Sequence, residues 1–326
     1  MTRVKLPRRQ FLRLATGAAA LPAVSRIAWA QAYPTRPVHL IVGTPPGLAP
    51  DILARLVGQS LSERMGQQFV IDNRPGAGTN IATEAVVRAA PDGYSLLLSN
   101  PANAINATLY DNLNFDFIRD IKAVALIGSG EFIMVINPSM PAKTIPEFIA
   151  YAKANPGKIN MASNGNGSTP HVFGELFKMM TGVEMVHVPY RASYVPDLLS
   201  GQVQVAFSSV SASSEYVRTG KLRGLAVTTA RRSTGLSDIP AMTEFVPGYE
   251  ASSWYGISAP RNTSSEIVER LNNEINAALS ESKLKGRLAE LGVISLPGSP
   301  AAFGKLIADE TEKWGKVVKF AGIKSD

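Results

Sequence analysis

The chain has 326 residues, with 33 lysines and arginines against 26 aspartates and glutamates, and it contains no cysteine. The absence of cysteine excludes disulfide bonds and thiolate chemistry, and the length is sufficient for two domains or one large domain. Hydrophobic residues make up 45% of the chain and charged residues 18%, which is ordinary for a globular protein.

The first 30 residues have the layout of an export signal. A basic start contains Arg8 and Arg9, an apolar stretch spans 11–24, and "AWA" at 28–30 fits a small-x-small cleavage site. The paired arginines resemble a twin-arginine signal, which predicts export to the periplasm. Because a spanning helix needs about 20 apolar residues, we expect a soluble mature protein that begins near Gln31.

The same segment accounts for most of the net charge of +7. It holds six basic residues and no acidic residue, which leaves 27 basic against 26 acidic residues in the remainder. A nucleic-acid-binding domain would carry a basic patch. The composition therefore predicts no nucleic-acid partner.

Two parts of the chain show the same order of strand, loop and helix. In the first part, strands are predicted at 38–43, 68–73 and 95–100, with helices at 51–65 and 81–90. In the second part, strands are predicted at 158–163, 184–190 and 201–210, with helices at 171–180 and 196–200. Further strands are predicted at 222–229 and 252–260, and helices from 264 or 265 to 279 and within 283–320. This order predicts two α/β domains, with ligands bound where strands lead into helices.

The loop "GTPPGLAPD" joins the first predicted strand to the first predicted helix and contains Gly47, Leu48, Ala49 and Asp51. A helix N-terminus offers unpaired N–H groups and the positive end of the helix dipole, which suit a carboxylate or another anion. Asp51 either caps the helix or contacts a ligand, and both interpretations remain open.

A second loop, "RPGAGTN", invites comparison with nucleotide-binding motifs. Gly76 and Gly78 match the first two glycines of G-x-G-x-x-G, but Ile81 occupies the third small position, so the motif fails. The loop is either a glycine turn before a helix or a ligand contact through its backbone and Asn80.

In the second half, "NGNGSTPH" places Ser168 and Thr169 before a helix. They either cap that helix or bind a carboxylate. The sequence contains neither a G-x-x-x-x-G-K-[ST] loop nor a G-x-S-x-G elbow. His39 and His187 lie in apolar strands and are expected to be structural, whereas a structural role and ligand contact both remain open for His171.

Other polar residues lie at the ends of predicted strands, namely Asn100, Tyr190, Arg191, Ser208 and Ser209. Arg191 can pair a ligand carboxylate through two parallel hydrogen bonds, or can bind an acidic group of its own domain. Catalysis needs an activated nucleophile, a tuned acid and base, or a metal. Because these loops offer none of them, we predict binding without catalysis, and neither a metal nor a cofactor.

Four segments carry a family resemblance, at 45–100, 155–207, 220–232 and 239–260. They resemble the extracytoplasmic solute receptors of tripartite tricarboxylate transporters, which are also called Bug proteins. The resemblance implies a type II periplasmic-binding-protein fold, in which two α/β domains close on a carboxylate. We place domain 1 at 31–130 plus 250–326 and domain 2 at 131–249, after a signal peptide at 1–30.

The resemblance and the placement of the loops together define a predicted site. Matching position points to Gly47, Leu48, Ala49, Asp51, Asn80, Ser168, Thr169, Tyr190 and Arg191. Placement at the ends of strands and helices adds Gly78, Asn100, His171 and Ser208.

The family loop usually reads P-P-G-G-x-x-D, whereas here Leu48 replaces the second glycine and Pro50 precedes Asp51. A side chain at that position favours a ligand with an apolar or aromatic body over a tricarboxylate.

The predicted function is a monomeric receptor that delivers a small aliphatic or aromatic carboxylate to a membrane permease. Two alternatives share the fold class: a ligand sensor that contacts a membrane kinase, and an exported α/β enzyme. The enzyme alternative requires a nucleophile and a base within hydrogen-bond reach in the cleft.

Overall fold

The structure is a computed structural model that describes residues 33–233 and 235–325. The predicted signal peptide at 1–30 lies outside the described residues. From Arg36 onward the chain is a mixed α/β structure with two sheets, which confirms the predicted fold class. None of the described helices combines the length and the apolar character that a membrane crossing requires.

Eleven strands are described. They are β1 (Val38–Val42), β2 (Phe69–Asn73), β3 (Ser95–Ser99), β4 (Ile121–Gly130), β5 (Phe132–Ile136), β6 (Asn160–Ser163), β7 (Val186–Pro189), β8 (Val205–Ser209), β9 (Arg223–Val227), β10 (Ser253–Pro260) and β11 (Val293–Ser295). The first sheet has the order β11-β4-β10-β3-β1-β2 and the second has the order β7-β6-β8-β5-β9.

Each sheet combines parallel and antiparallel pairs. β1 is parallel to β2 and β3, and β6 is parallel to β7 and β8. β10 is antiparallel to β3 and β4, and β5 is antiparallel to β8 and β9. The parallel strands are the ones predicted from the repeated strand–loop–helix order, because parallel neighbours need a crossover helix.

The α-helices flank these sheets. They are α1 (Ala49–Met65), α2 (Asn80–Val87), α3 (Pro101–Leu109), α4 (Phe117–Asp120), α5 (Ile145–Ala154), α6 (Thr169–Thr181), α7 (Val195–Ser200), α8 (Val210–Arg218), α9 (Ser265–Ser280), α10 (Ser282–Glu290) and α11 (Pro300–Ala321). The predicted elements occur close to their expected bounds, although α1 begins at Ala49, two residues earlier than predicted.

The segment from 101 to 157 received no prediction, and it contains α3, α4, β4, β5 and α5. β4 and β5 follow one another with a single residue, Glu131, between them.

The chain crosses between the two sheets at two adjacent places. Glu131 joins β4 to β5, and the return path joins β9 to β10. The Thr228 N–H donates to the Phe132 carbonyl at 2.9 Å, and the Thr228 hydroxyl donates to the Ala251 carbonyl at 2.6 Å. The outgoing and returning strands are therefore hydrogen-bonded where they cross. The domain bounds predicted at 131 and 249 fall close to these crossings and remain a prediction.

Successive residues at the first crossing line different cavities. Phe132 lines a cleft described below, whereas Glu131 lines a second groove of about 670 Å³ together with Ser211 and Gly292. Successive side chains of a strand point to opposite faces. The cleft and the groove therefore lie on opposite sides of the crossing strands.

The C-terminal helix α11 packs against both halves of the structure. Its buried residues include Phe303 and Trp314, and Trp314 stacks on Phe173 of α6 with ring centroids 5.3 Å apart. Phe303 meets Trp254 of β10 edge-to-face at 5.7 Å. These contacts join the first sheet, α11 and the helix that covers the second sheet, and each such aromatic pair adds about 0.5–1.5 kcal/mol beyond its area burial.

Glu310 supplies the polar partner of this aromatic cluster. Its Oε2 accepts hydrogen bonds from Trp254 Nε1 at 3.2 Å and from Trp314 Nε1 at 2.7 Å, and its other oxygen pairs with Lys313. A buried indole needs such an acceptor, because an unsatisfied buried donor costs about 1–3 kcal/mol. One buried carboxylate thus satisfies two tryptophans.

We expect Glu310→Ala to lower the free energy of unfolding by about 3 kcal/mol, because two buried indole N–H groups lose their acceptor. Urea denaturation followed by tryptophan fluorescence measures this loss. Glu312→Ala on the same helix is the control, since exposed Glu312 pairs with Lys316 at the surface and such pairs contribute at most about 1 kcal/mol. Equal losses in the two variants would contradict the role given to Glu310.

Candidate functional site

An open cleft of about 730 Å³ contains residues from both sheets. This volume lies in the range of small-molecule sites, about 300–1,000 Å³. The lining residues are Leu48, Phe132, Asn164, Ser168, Thr169, Pro170, Tyr190, Arg191, Ala192, Ser193, Tyr194, Val195, Ser208, Ser209, Ala212, Ser253 and Tyr255. Leu48, Ser253 and Tyr255 belong to the half of the structure that contains the first sheet. Most other lining residues belong to the half that contains the second sheet.

The structure brings six of the predicted site residues together on the cleft wall, namely Leu48, Ser168, Thr169, Tyr190, Arg191 and Ser208. The other seven are not among the lining residues, and they are Gly47, Ala49, Asp51, Gly78, Asn80, Asn100 and His171. Several of these seven act on the loops that carry the lining residues. The assignment of ligand contacts to all thirteen stays a prediction.

Asp51 holds the loop that presents Leu48. Its carboxylate accepts hydrogen bonds from the Gly47 N–H at 2.8 Å and from Asn73 Nδ2 at 3.0 Å, and it pairs with Arg55. Burial acts to raise the pKa of Asp51, but Arg55, Gly47 and Asn73 outweigh it, so the pKa is lowered. The N-cap of α1 is Leu48, which makes no side-chain cap. Asp51 therefore fixes the loop instead of capping the helix from the N-cap position.

The second glycine loop of the first half is held by amide side chains. Asn106 Nδ2 donates to the Gly78 carbonyl at 2.6 Å and to Asn80 Oδ1 at 2.9 Å. Gly78 has φ +60°, a left-handed conformation that suits glycine. Asn80 is 7% exposed, and its Nδ2 has no hydrogen-bond partner among the described residues.

Asn100 has a structural role. Its side chain accepts the Ala102 N–H at 2.9 Å, and Asn103 Oδ1 accepts the Asn100 N–H at 2.8 Å. These two bonds cap the N-terminus of α3. The placement of Asn100 at a strand end therefore reflects the start of a helix that the sequence analysis did not predict.

Arg191 and Tyr190 follow β7 and differ in how they are bonded. The Tyr190 hydroxyl donates to Asp197 Oδ2 at 2.7 Å, and burial together with this bond raises the pKa of Tyr190 to about 12. Arg191 is exposed and lines the cleft, and the structure shows no hydrogen bond or ion pair for it across residues 33–233 and 235–325. Pairing of Arg191 with an acidic group of its own half is therefore not observed.

A loop at 164–168 links β6 to α6 and supplies Asn164 and Ser168 to the cleft. The Ser168 hydroxyl donates to the Gly165 carbonyl at 2.7 Å and makes no cap to α6. Gly165 has φ +114° and Gly167 has φ +68°, so both glycines adopt conformations that other residues rarely adopt. Thr169 and Pro170, the first two residues of α6, line the same cleft, so the N-terminal end of this helix lies at the cleft.

Two histidines lie behind this loop. His171 Nδ1 accepts the Gly167 N–H at 3.1 Å, and His187 Nε2 lies 2.6 Å from the Ser163 hydroxyl. The two imidazole rings stack with centroids 3.5 Å apart. Burial, and then the proximity of His171, lower the pKa of His187 to about 4. The expectation that His187 is structural agrees with this packing, and His171 contacts the loop from behind.

Several lining residues lie outside the predicted site, among them Phe132, Tyr194, Ser253 and Tyr255. Ser253 and Tyr255 are two residues apart on β10, with buried Trp254 facing the other way. The alternation in "SSWYG" is the signal that could have identified them, because residues i and i+2 of a strand share a face. Phe132 had no such signal, since β5 itself was not predicted.

The cleft offers hydroxyls, phenols, helix N–H groups and one guanidinium. Within the part of the chain that the structure describes, no three His, Asp or Glu residues are grouped to hold a metal ion. Among residues 33–233 and 235–325, the one histidine–serine hydrogen bond joins His187 to Ser163 behind the loop, and Ser163 is fully buried. This arrangement suits the binding of an anion.

Comparison with known proteins agrees with this geometry. The profile of the TctC family, described as tripartite tricarboxylate transporter family receptors, matches residues 53–323. Protein BugT of Bordetella pertussis is 35% identical over 300 residues, which cover 90% of this chain and 92% of BugT.

Two solved structures are similar over most of the chain. Rpa4515 of R. palustris with adipate has a TM-score of 0.76 and 38% identity, covering 90% of this chain and 99% of that one. MatC of Rhodopseudomonas palustris with bound malate has a TM-score of 0.74 and 27% identity, covering 88% of this chain and 100% of that one. These relatives are solute-binding receptors and not enzymes. The chain therefore belongs to the TctC family of tripartite tricarboxylate transporter receptors, the Bug proteins.

Proposed function

We propose that this protein is a periplasmic receptor that binds a small carboxylate in the cleft and delivers it to the permease of a tripartite tricarboxylate transporter. Membership of the receptor family supports the transport role. The observation that carries the ligand class is Arg191, an unpaired guanidinium on the cleft wall beside the N-terminus of α6. Both groups favour a carboxylate.

The polar wall recognises one end of the ligand. Arg191 lies on the wall with Ser168 and Thr169 at the start of α6 and with Ser208 at the end of β8. A guanidinium pairs a carboxylate through two parallel hydrogen bonds, and the hydroxyls and helix N–H groups can satisfy its remaining lone pairs. We propose that this wall holds a terminal carboxylate of the ligand.

Both halves of the structure also supply apolar and aromatic side chains to the cleft. Leu48 is 51% exposed at the cleft, and Phe132, Tyr194 and Tyr255 line it as well. An exposed leucine at a binding loop gains free energy when a ligand covers it, at about 25 cal/mol per Å² of apolar area. We infer that the ligand has an apolar body between its polar ends.

The charge of the cleft limits the charge of the ligand. Arg191 is the one charged side chain among the described lining residues. A tricarboxylate would bring three negative charges to a single guanidinium, and an uncompensated charge is costly to desolvate. We therefore propose a mono- or dicarboxylate with an aliphatic or aromatic body. Adipate, which is bound in the structure of Rpa4515, is a dicarboxylate of this kind.

The unpartnered Nδ2 of Asn80 supports a second contact on the side of the first sheet. A buried donor without an acceptor costs about 1–3 kcal/mol, and ordered water or the far end of a ligand would remove that cost. The first half then contributes Asn80 and the Gly47–Ala49 loop, as the sequence analysis predicted.

Location and partners are part of the same proposal. The arginine pair at 8–9 and the apolar stretch that follows support export through a twin-arginine signal. Relatives of this family serve transporters, so we propose permease subunits as the macromolecular partner and a monomer as the functional state. Size-exclusion chromatography with light scattering measures the molar mass in solution and so tests the proposed monomer.

The ligand class is tested by a thermal-shift screen of the mature protein with adipate, malate, benzoate and citrate. A ligand at 100 times its Kd stabilises the folded state by about 2.7 kcal/mol. We expect shifts for adipate or benzoate that exceed the shift for citrate. A shift for citrate alone would contradict the proposal.

We expect Arg191→Ala to weaken binding of the best ligand of that screen by about 10- to 150-fold, because a charge-assisted hydrogen bond contributes about 1.5–3 kcal/mol. Isothermal titration calorimetry measures the change. Arg270→Ala is the matched control, since Arg270 is exposed on α9 and does not line the cleft. Unchanged affinity in Arg191→Ala would remove Arg191 from the site.

Leu48→Ala tests whether the exposed Leu48 side chain contributes apolar contact to the ligand. We expect the affinity for adipate to fall about three- to tenfold, because roughly 1 kcal/mol of apolar burial is lost, while the affinity for malate changes less. Leu296→Ala is the control, as Leu296 is partly exposed and outside the cleft. Equal losses for adipate and malate would show that Leu48 does not discriminate between ligand bodies.

A further inference from the structure

The 164–168 loop is held from behind by two side chains that do not line the cleft. The Gly165 N–H donates to Ser163 Oγ at 3.1 Å, and the Gly167 N–H donates to His171 Nδ1 at 3.1 Å. Each glycine of the loop thus has its N–H group fixed by a buried residue. The loop conformation, and with it the position of Ser168, depends on these two acceptors.

The bond from Gly167 determines where the proton of His171 lies. A backbone N–H is always a donor, so the Nδ1 that faces it must be the unprotonated nitrogen. A neutral imidazole then carries its proton on Nε2. That nitrogen lies 3.6 Å from Glu175 Oε1, an electrostatic contact longer than a hydrogen bond.

Several charged and titratable groups face His171 from the elements packed around it. Glu175 is 2% exposed and one turn further along α6, and it pairs with Lys178 at 2.9 Å. His187 of β7 stacks on the other side of the ring. Burial acts to raise the pKa of Glu175, but His171 and Lys178 outweigh it, so the pKa is lowered. Glu175 therefore stays ionised and places a negative charge on the Nε2 side of His171.

We propose that His171 is a positioning residue for ligand binding, whose neutral, Nε2-protonated imidazole holds the Gly167 N–H and thereby fixes the 164–168 loop at the cleft. The role rests on the proposed function, because the loop matters for binding only if the cleft binds a ligand. His171 itself is 5% exposed and does not line the cleft. The position of His171 at a helix start predicts a ligand contact, whereas the geometry assigns it an indirect role.

A second proton on His171 would disrupt this arrangement. Nδ1 would become a donor and would face the Gly167 N–H at 3.1 Å, so two donors would compete for the same space. Glu175 favours the added charge, whereas Lys178 and the stacked His187 oppose it. The loop must then move, and ligand affinity falls.

The acid sensitivity of the fold has a separate source in His187. Its pKa is lowered to about 4 in the folded protein from an ordinary value of 6.5. The unfolded chain therefore binds the proton first as the pH falls, and the stability contributed by neutral His187 is complete above pH 6.5 and is lost toward pH 4.

We expect the melting temperature to decrease as the pH is lowered from 6.5 toward 4, and His187→Gln to reduce this slope. Glutamine reaches the position of Nε2, so it can keep the contact with Ser163 and does not titrate. Differential scanning calorimetry measures the slope. An unchanged slope in His187→Gln would assign the acid sensitivity to other groups.

The proton position is tested directly on the wild-type protein. Long-range ¹H–¹⁵N correlation spectra distinguish the two neutral tautomers of each histidine. At pH 7.5 we expect His171 to be protonated on Nε2 and unprotonated on Nδ1. The opposite tautomer would overturn the proposal, because Nδ1 could not then accept from Gly167.

Two substitutions of His171 distinguish a role in holding the 164–168 loop from a general contribution to folding. His171→Asn keeps an acceptor at the position of Nδ1 and cannot gain a second proton, whereas His171→Gln places its amide near Nε2 and leaves Gly167 without an acceptor. His39→Gln is the control, since His39 is exposed on β1 and does not line the cleft. Melting curves establish that each variant is folded before binding is measured.

The binding experiment uses adipate as the probe and calorimetric titration at pH 7.5. We expect His171→Asn to bind within about threefold of the wild type and His171→Gln to bind at least about tenfold more weakly, the scale of one unsatisfied buried donor. Equal affinities in the folded variants would overturn the role of His171 alone. Absence of adipate binding by the wild type would instead overturn the ligand class on which this role depends.

Discussion

The hydrogen bonds at the crossing of the two sheets are the constraint on which the rest of the structure depends. Thr228 bonds to Phe132 on the outgoing path and to Ala251 on the returning path, so the two connections form one joint. Phe132, whose carbonyl accepts a hydrogen bond at this joint, also lines the cleft. The C-terminal helix adds a second connection through Trp314 and Phe173. Loops from both halves can meet around one ligand because these contacts fix where the halves come together.

The site is built from loops whose conformations are set by residues outside the cleft. Asp51 fixes the Gly47 loop, Asn106 fixes the Gly78 loop, and His171 fixes the Gly167 loop. In each case a buried side chain forms a hydrogen bond with a backbone group of the glycine itself. Binding pays less conformational entropy when the loops are ordered in advance. Because some residues of the family motif hold the loops from outside the cleft, they are not among the residues that line it.

The sequence predicted the parallel strands, their helices and about a third of the residues that line the cleft. Leu48, Ser168 and Arg191 were found because they follow predicted strands, where α/β sheets bind ligands. Tyr255 and Phe132 were not found, since which face of a strand meets the cleft depends on how the sheets are joined. Asn100 and His171 were assigned to the ligand because strand ends and helix starts are also where capping and loop-holding residues occur. The position of a residue in the sequence identifies these loops. Its hydrogen-bond partners in the structure decide whether the residue can contact a ligand or instead holds the loop in its conformation.

The groove behind the crossing strands has a practical consequence. Any rotation that narrows the cleft at Phe132 must widen the space around Glu131 and Ser211 on the opposite side. Because the chain has no cysteine, Ser211→Cys would introduce the sole thiol, and a fluorescent dye attached there would label one position. The fluorescence of the dye would report rotation at the crossing strands, and the dye itself would not contact a ligand in the cleft. The same feature that leaves this chain without disulfides makes it a suitable scaffold for an optical sensor of ligand binding.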